Sequence, residues 1–431
     1  MDANYNLKAK IKGGQIPSGV VQVSGAKNSA TKLLAAALIS DEEIVLQNYP
    51  TELVDANYKI DFIQKLGGKI DKLSKEEELI INSTNFENRE LDSYNYLFRT
   101  TYLLVPGLLK KSGEAMIPYP GGCKIGHRGY DLHISAWESF GAIVTEKENY
   151  IHVTIDGKLK GTEIDFPIST IGGTETALIC GSIAEGKTII KNAYISPEVN
   201  DLISFLKMMG VNIKVIGSSY IEIEGKQYLR GGCYKVMPDR IEAITWIVYG
   251  ILSGGSILVK DIPFSTLEIP LIHLREMGIS IYRNDNNVYI DGSVIDNESI
   301  QPFELATGTY PGIISDMQPF FVLLALHASG RSRVYDYRYP ERIKYCEELS
   351  KMYNNSIVAK HGEIVISGSV DAKPIANNVV STDLRGSMAL LIGALLASGE
   401  SEISGIDMAL RGYNKLEEKL KGLGVVIELI N

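Results

Sequence analysis

The sequence predicts an α/β protein made of six copies of one small unit, three to a lobe. The first observation behind this is a recurring order: an amphipathic helix ending in a small residue, a β-rich strand, a turn and a second strand. It is written in "IDFIQKLGGKI…EEELIINS", "LHISAWESFGAIV…NYIHVTIDG" and "DLISFLKMMGVNIKV…SYIEIEG". It returns in "PLIHLREMGISIY…NVYIDG", "YCEELSKMYNNSIV…EIVISG" and "YNKLEEKLKGLGVVIELI". The second observation is spacing. Gly67, Gly141, Gly210, Gly278, Asn354 and Gly424 follow one another at about 70 residues, and Gly and Asn are the residues that close a helix in the left-handed conformation. That period exceeds those of the common solenoids.

Between these markers lie helices that are apolar nearly all round, hence expected to be buried. They read "ATKLLAAALIS", "TETALICGSIAEG", "IEAITWIVYGILSGG", "MQPFFVLLALHASG" and "GSMALLIGALLASGE". Short strands such as "KTIIKNA", "SILVKDI", "SRVYDY" and "SEISGI" follow four of them. The last copy stops at "VVIELIN" without its second strand, which the N-terminal "YNLKAKIKGG" can supply. One lobe is therefore expected from residues 1–26 and 238–431, with both termini, and the other from 27–237, with a cysteine-bearing loop. Two connections would cross near Ala26–Lys27 and Met237–Pro238. A cleft between lobes is a preferred ligand site.

Composition narrows the function. Of 431 residues, 45% are hydrophobic and 22% charged, the profile of a folded globular chain. A net charge of -9 argues against nucleic acid or an anionic membrane as partner. No signal peptide and no membrane-spanning apolar run is legible. Cys123, Cys180, Cys233 and Cys346 are scattered, without a CxxC pair. The expectation is a cytoplasmic protein with no disulfide framework, no metal site and no cofactor.

Charged residues at the starts of apolar helices are the candidates for chemistry. Lys27 and Asn28 open the first helix, where free N–H groups and the dipole favour an anion. Arg99, Asp239 with Arg240, Asp316, Arg385 and Arg411 occupy comparable places in other repeats. If the repeats pack symmetrically, these side chains converge on the cleft as an anion site. In "PGGCKIGHRGYDLH", Cys123 is flanked by glycines and followed by Lys124, His127 and Arg128. Neighbouring cations lower a thiol's pKa and make it reactive. A Cys–His hydrolase is disfavoured, because neither His127 nor His133 sits in a hydrolase signature.

Taken together, "SGAKNSA", "FRTTYLL", "PGGCKIGHRGYDLH", "STIGGTET", "VMPDRIEA", "YPGIISDMQ", "TDLRGS" and "LRGYNKLEEKLKGLG" resemble the enolpyruvyl transferases, in the family's order from Ser24 to Gly424. The resemblance implies a two-lobed inside-out α/β barrel of six βαβαββ units. It also implies transfer of enolpyruvyl from phosphoenolpyruvate to the 3-hydroxyl of UDP-N-acetylglucosamine, with release of phosphate, the first committed step toward peptidoglycan. By the same resemblance Asp316 takes or orients the hydroxyl proton, and Cys123 protonates the enol methylene or holds an adduct. Lys27, Arg128 and Arg411 bind the donor's phosphate and carboxylate, Asn28 helps seat the ligands, and Arg99 reaches the diphosphate. Gly129, Tyr130, Asp131 and Leu132 match the uridine-contacting stretch, and Ser169, Thr170 and Ile171 the diphosphate and ribose loop. Val334, Arg338, Asp383 and Arg385 fall at further matched positions. The chain departs from the family at "GHRGYD", Ile168, Ser196 and "YDYRYPERIKY". These departures fall on the acceptor side, leaving open a paralogue with another nucleotide acceptor, or a silent sugar-nucleotide binder.

Overall fold

The computed structural model of the chain describes residues 7–83, 100–119, 129–295 and 300–430. One repeat shows the plan. Strand Glu163–Asp165 runs parallel to Lys187–Lys191, with Ile164 opposite Ile190. Helix Ile171–Ile183 joins them and is buried from Gly173 onward, which is why its sequence lacks a polar face. Helix Pro197–Met208 follows, then the hairpin of Asn212–Ile216 and Tyr220–Glu224, whose second strand returns antiparallel beside Lys187–Lys191. Alternation sets the hairpin's faces: Ile221 and Ile223 are fully buried, while Glu222 points outward to Lys187 at 3.0 Å.

The residues expected to close the repeat helices do so with positive φ: 91° at Gly67, 95° at Gly141, 104° at Gly210, 86° at Gly278, 50° at Asn354 and 75° at Gly424. At Gly210 the turn is secured by Val211 N–H donating to Leu206 O at 3.1 Å. Only residues that tolerate this conformation can stand there.

Among the described residues there are six sheets, five of four strands and one of three. The described residues divide into two compact units, one of residues 7–24, 238–295 and 300–430 and the other of residues 25–83, 100–119 and 129–237. Each unit has its own apolar core. In the first, helices Arg240–Leu252, Gln318–Leu326 and Leu384–Leu396 are almost wholly buried. In the second, Lys27–Ala37, Val105–Ser112 and Ile171–Ile183 take that inner place. Helices lie inside and sheets outside; no described sheet closes on itself as a barrel.

Where the chain passes between units, the first strands of two repeats are exchanged. Strand Ser18–Gln22 precedes helix Lys27–Ala37 in sequence but pairs in parallel with Ser256–Lys260, in the other unit's sheet. Strand Gly232–Lys235 precedes helix Arg240–Leu252 but pairs with Ile44–Gln47. Strand Lys8–Lys12 inserts antiparallel between Glu400–Ser404 and Ile427–Ile430, filling the place the last repeat leaves open.

Candidate active site

In the unit of residues 7–24 and 238–430, helix starts carry the polar residues. Asp239 caps Arg240–Leu252, accepting from Ile241 N at 2.8 Å and Glu242 N at 3.1 Å. Asp383 caps Leu384–Leu396 in the same way, accepting from Arg385 N at 3.1 Å and Gly386 N at 3.2 Å. Such caps satisfy the free N–H groups of the first turn and hold the next residues in place. Arg240 and Arg385, just inside these caps, are both buried.

Asp316 sits in the short 3-10 turn Ser315–Met317 that leads into Gln318–Leu326. Arg342 Nη1 donates to its Oδ1 at 2.5 Å, and Arg385 Nε lies 3.5 Å from its Oδ2. Arg342 also reaches Asp383 Oδ1 through Nε and Nη2 at 3.3 Å each, and Ser315 Oγ at 3.2 Å. Ser315 in turn donates to Asp336 at 2.5 Å. The result is a row of alternating charge, Arg385, Asp316, Arg342 and Asp383, in which only Asp316 keeps appreciable exposure, 27% of its side chain.

Arg385 is 1% exposed, and its Nη1 has no hydrogen-bond partner among the described residues. Its guanidinium lies 5.2 Å from the ring centre of Tyr413, whose hydroxyl is 2.9 Å from Thr245 Oγ1. Burial raises the Asp239 carboxyl against the pull of the Arg385 charge. Burial also pushes the Tyr413 phenol up to about 12. Leaving a buried charged donor unmatched costs about 1–3 kcal/mol or more. Arg411, buried, ends the short helix Asp407–Leu410.

The segment that departs from the family divides its arginines unequally. Arg338 is exposed, with its guanidinium 6.0 Å from the Tyr339 ring centre. Val334 is fully buried in the core. Arg342, which the sequence reading passed over, is the arginine held on Asp316 and Asp383.

The other unit carries the remaining candidates. Lys27 is the first residue of its helix, and its Nζ is 3.0 Å from Asp55 Oδ2. Gly25, two residues before it, approaches Asn48 O so closely that a Cβ would lie 1.9 Å from that oxygen. Asn28 is half-buried beside Lys27. Gly129, Tyr130, Asp131 and Leu132 lead into and begin helix Asp131–Ser139. The Tyr130 ring stacks at 6.0 Å on Tyr102 and tilts at 5.9 Å against Tyr119. Thr170 caps Ile171–Ile183 through a bond from Gly173 N at 3.3 Å, next to Ser169. Ile168 is 60% exposed, and Ser196 caps helix Pro197–Met208 by accepting from Val199 N at 3.3 Å. Arg99, Cys123, Lys124, His127 and Arg128 lie outside the described residues.

The family model for EPSP synthase (3-phosphoshikimate 1-carboxyvinyltransferase) matches residues 11–420. The chain belongs to the EPSP synthase family. It is an enolpyruvyl transferase. Among curated members, the UDP-N-acetylglucosamine 1-carboxyvinyltransferase 3 of Caldanaerobacter subterraneus subsp. tengcongensis is 38% identical, over 97% of this chain and 98% of the relative. The UDP-N-acetylglucosamine 1-carboxyvinyltransferase 2 of Bacillus subtilis is 34% identical, over 97% and 96%. Among solved structures, the enolpyruvyl transferase NikO from Streptomyces tendae shares the fold with a TM-score of 0.88 at 22% identity, covering 99% of both chains. EPSP synthase from Acinetobacter baumannii shares it at 0.73 and 17% identity, covering 99% of this chain and all of that one. As in the expectation from sequence, members of the EPSP synthase family are the chain's relatives along nearly its whole length. No described helix is long and apolar enough to cross a membrane, and no described group of three His, Cys, Asp or Glu side chains could hold a metal ion.

Proposed function

We propose that this enolpyruvyl transferase moves the enolpyruvyl group of phosphoenolpyruvate to the 3-hydroxyl of UDP-N-acetylglucosamine and releases phosphate. The single observation that supports this most is the identity of 33–38% along 97–98% of the chain to relatives that carry that reaction in their names. The residue roles fit the chemistry. Lys27, Arg128 and Arg411 take the donor's phosphate and carboxylate, since a doubly anionic donor needs fixed cations that also stabilise charge in the transition state. Cys123 delivers a proton to the methylene carbon, which leaves the central carbon electron-poor. The acceptor hydroxyl attacks that carbon and gives its proton to Asp316. Loss of phosphate and of a methyl proton from the adduct restores the double bond. Asp316 suits its role because the two arginines hold it in one orientation while one side remains exposed.

Arg385 and Arg342 supply positive charge around Asp316, Asn28 seats the ligands, and Arg99 reaches the diphosphate. Gly129 to Leu132 and Ser169 to Ile171 hold the nucleotide. The product feeds peptidoglycan synthesis, and thereby cell-wall growth, cell shape and division, in the cytoplasm. The reading is tested by isolating the product of the two substrates and locating the new ether by NMR. A carbon–oxygen bond at the 3-oxygen of the sugar supports it; no ether, or an ether elsewhere, rejects it.

A further inference from the structure

Lys27 is not presented as a free cation. Its Nζ is 3.0 Å from Asp55 Oδ2, and the two side chains are 17% and 8% exposed. Asp55 lies in the first turn of helix Val54–Lys65, and Lys59 stands one turn further along the same face. Lys59 is fully buried, and its Nζ donates to the carbonyl of Thr31 at 2.5 Å, within the helix that begins at Lys27. The helix of Asp55 is thus fastened to the helix of Lys27 at two levels, by an ion pair on top and an ammonium–carbonyl bond beneath.

Other charged groups surround this arrangement. Lys32, on the Lys27 helix, pairs with Glu175 of helix Ile171–Ile183 at 2.8 Å. Helix Pro197–Met208 brings Glu198 and Asp201, the latter bound by Ser29 Oγ and by Tyr234 OH at 2.7 Å. Burial and the Lys32 charge hold the Lys59 ammonium well below the usual lysine range, against the pull of Glu175 and Asp55.

We propose that Asp55 is a positioning residue for Lys27, fixing the direction of its ammonium before a ligand arrives. This rests on the donor-binding role given to Lys27 above only for its kinetic consequence. A free lysine side chain carries about 2 kcal/mol of rotamer entropy, and a buried carboxylate at ion-pair distance removes part of that freedom before the ligand arrives. Lys59, through the Thr31 carbonyl, holds the helix of Asp55 against that of Lys27.

The test uses the full chain and reads Lys27 directly. Trace labelling with acetic anhydride, with Lys27 quantified by mass spectrometry, reports how tightly the amine is held. Asp55→Asn is expected to label Lys27 severalfold faster, because the ammonium loses the carboxylate that holds it at 3.0 Å, and Asp55→Glu to restore the wild-type rate. Lys59→Met removes the bond to the Thr31 carbonyl that ties the two helices together, so it should speed labelling as well. An unchanged rate in Asp55→Asn overturns the inference, and if that variant does not fold, an unchanged rate in Lys59→Met does so. In steady state, Asp55→Asn should raise KM for phosphoenolpyruvate about tenfold with kcat little changed, which a purely structural role would not produce. Wild-type protein without enolpyruvyl transfer would reject the proposed function while the labelling still decides the role of Asp55.

Discussion

Arg342 Nη1 lies 2.5 Å from Asp316 Oδ1, across 26 residues of sequence, and the same guanidinium holds Asp383 Oδ1 at 3.3 Å. One buried cation thus serves both the carboxylate proposed to take the acceptor proton and the cap of a central helix. Removing it leaves two carboxylates without their common partner. Arg342→Met should cost about 3–5 kcal/mol of stability, read as a lowered Tm, and should depress turnover. Arg342→Lys should recover little, because a point charge cannot serve both carboxylates as the planar fork does. A Tm within error of wild type in the Met variant contradicts this account of the pair.

Asp316→Asn keeps the shape and an acceptor oxygen but removes the base. The expected result is a fall in kcat of about 10²–10⁴-fold with phosphoenolpyruvate affinity retained by calorimetry. A near-normal kcat would take Asp316 out of the mechanism.

His327 gives the fold a dependence on acid. It is 4% exposed, with Nε2 3.2 Å from the Tyr353 hydroxyl, and burial pushes its imidazole down to about 4 from an ordinary 6.5. The unfolded chain therefore takes up the proton first. The contribution of His327 is full above about pH 6.5 and is lost as pH falls toward 4. Between pH 7 and pH 5 this amounts to about 2 kcal/mol. Urea melts of wild type and His327→Gln at the two pH values should differ in slope with pH by that amount; parallel behaviour contradicts it.

The four thiols should separate by reactivity. Burial raises the Cys180 thiol and pushes that of Cys346 up to about 12, so neither should alkylate in the folded protein. Cys233 is exposed, but burial of its sulfur and the charge of Glu78 raise its thiol, so it should react slowly. Cys123 is expected to react first, and an epoxide phosphonate such as fosfomycin should label it and fail to label Cys123→Ser. Equal labelling of that variant would show that the wrong thiol was chosen.

Much of this architecture was legible from residue types alone, because local constraints dictated it. A left-handed closing residue leaves few choices, so Gly210 and Asn354 could be matched across repeats before any coordinates. The unpolarised sequence of Gln318–Leu326 likewise has no stable place except an interior. The sequence reading put Ser18–Gln22 with residues 238–431 and Gly232–Lys235 with residues 27–237, but it did not name their partners Ser256–Lys260 and Ile44–Gln47, since each is an ordinary short strand and its partner is chosen by tertiary pairing. Arg342 escaped for a related reason. In "YDYRYPERIKY" several cations alternate with aromatics, and only packing against Asp316 and Asp383 distinguishes the buried one from exposed Arg338. Lys59 was equally silent, because a lysine on an amphipathic helix ordinarily faces water.

The most direct test of the assigned reaction is phosphate release from phosphoenolpyruvate with a panel of UDP-sugars and free nucleotides as acceptors. UDP-N-acetylglucosamine should support turnover that the other acceptors do not match. Release with some other acceptor alone, or with none of them, would contradict the assignment.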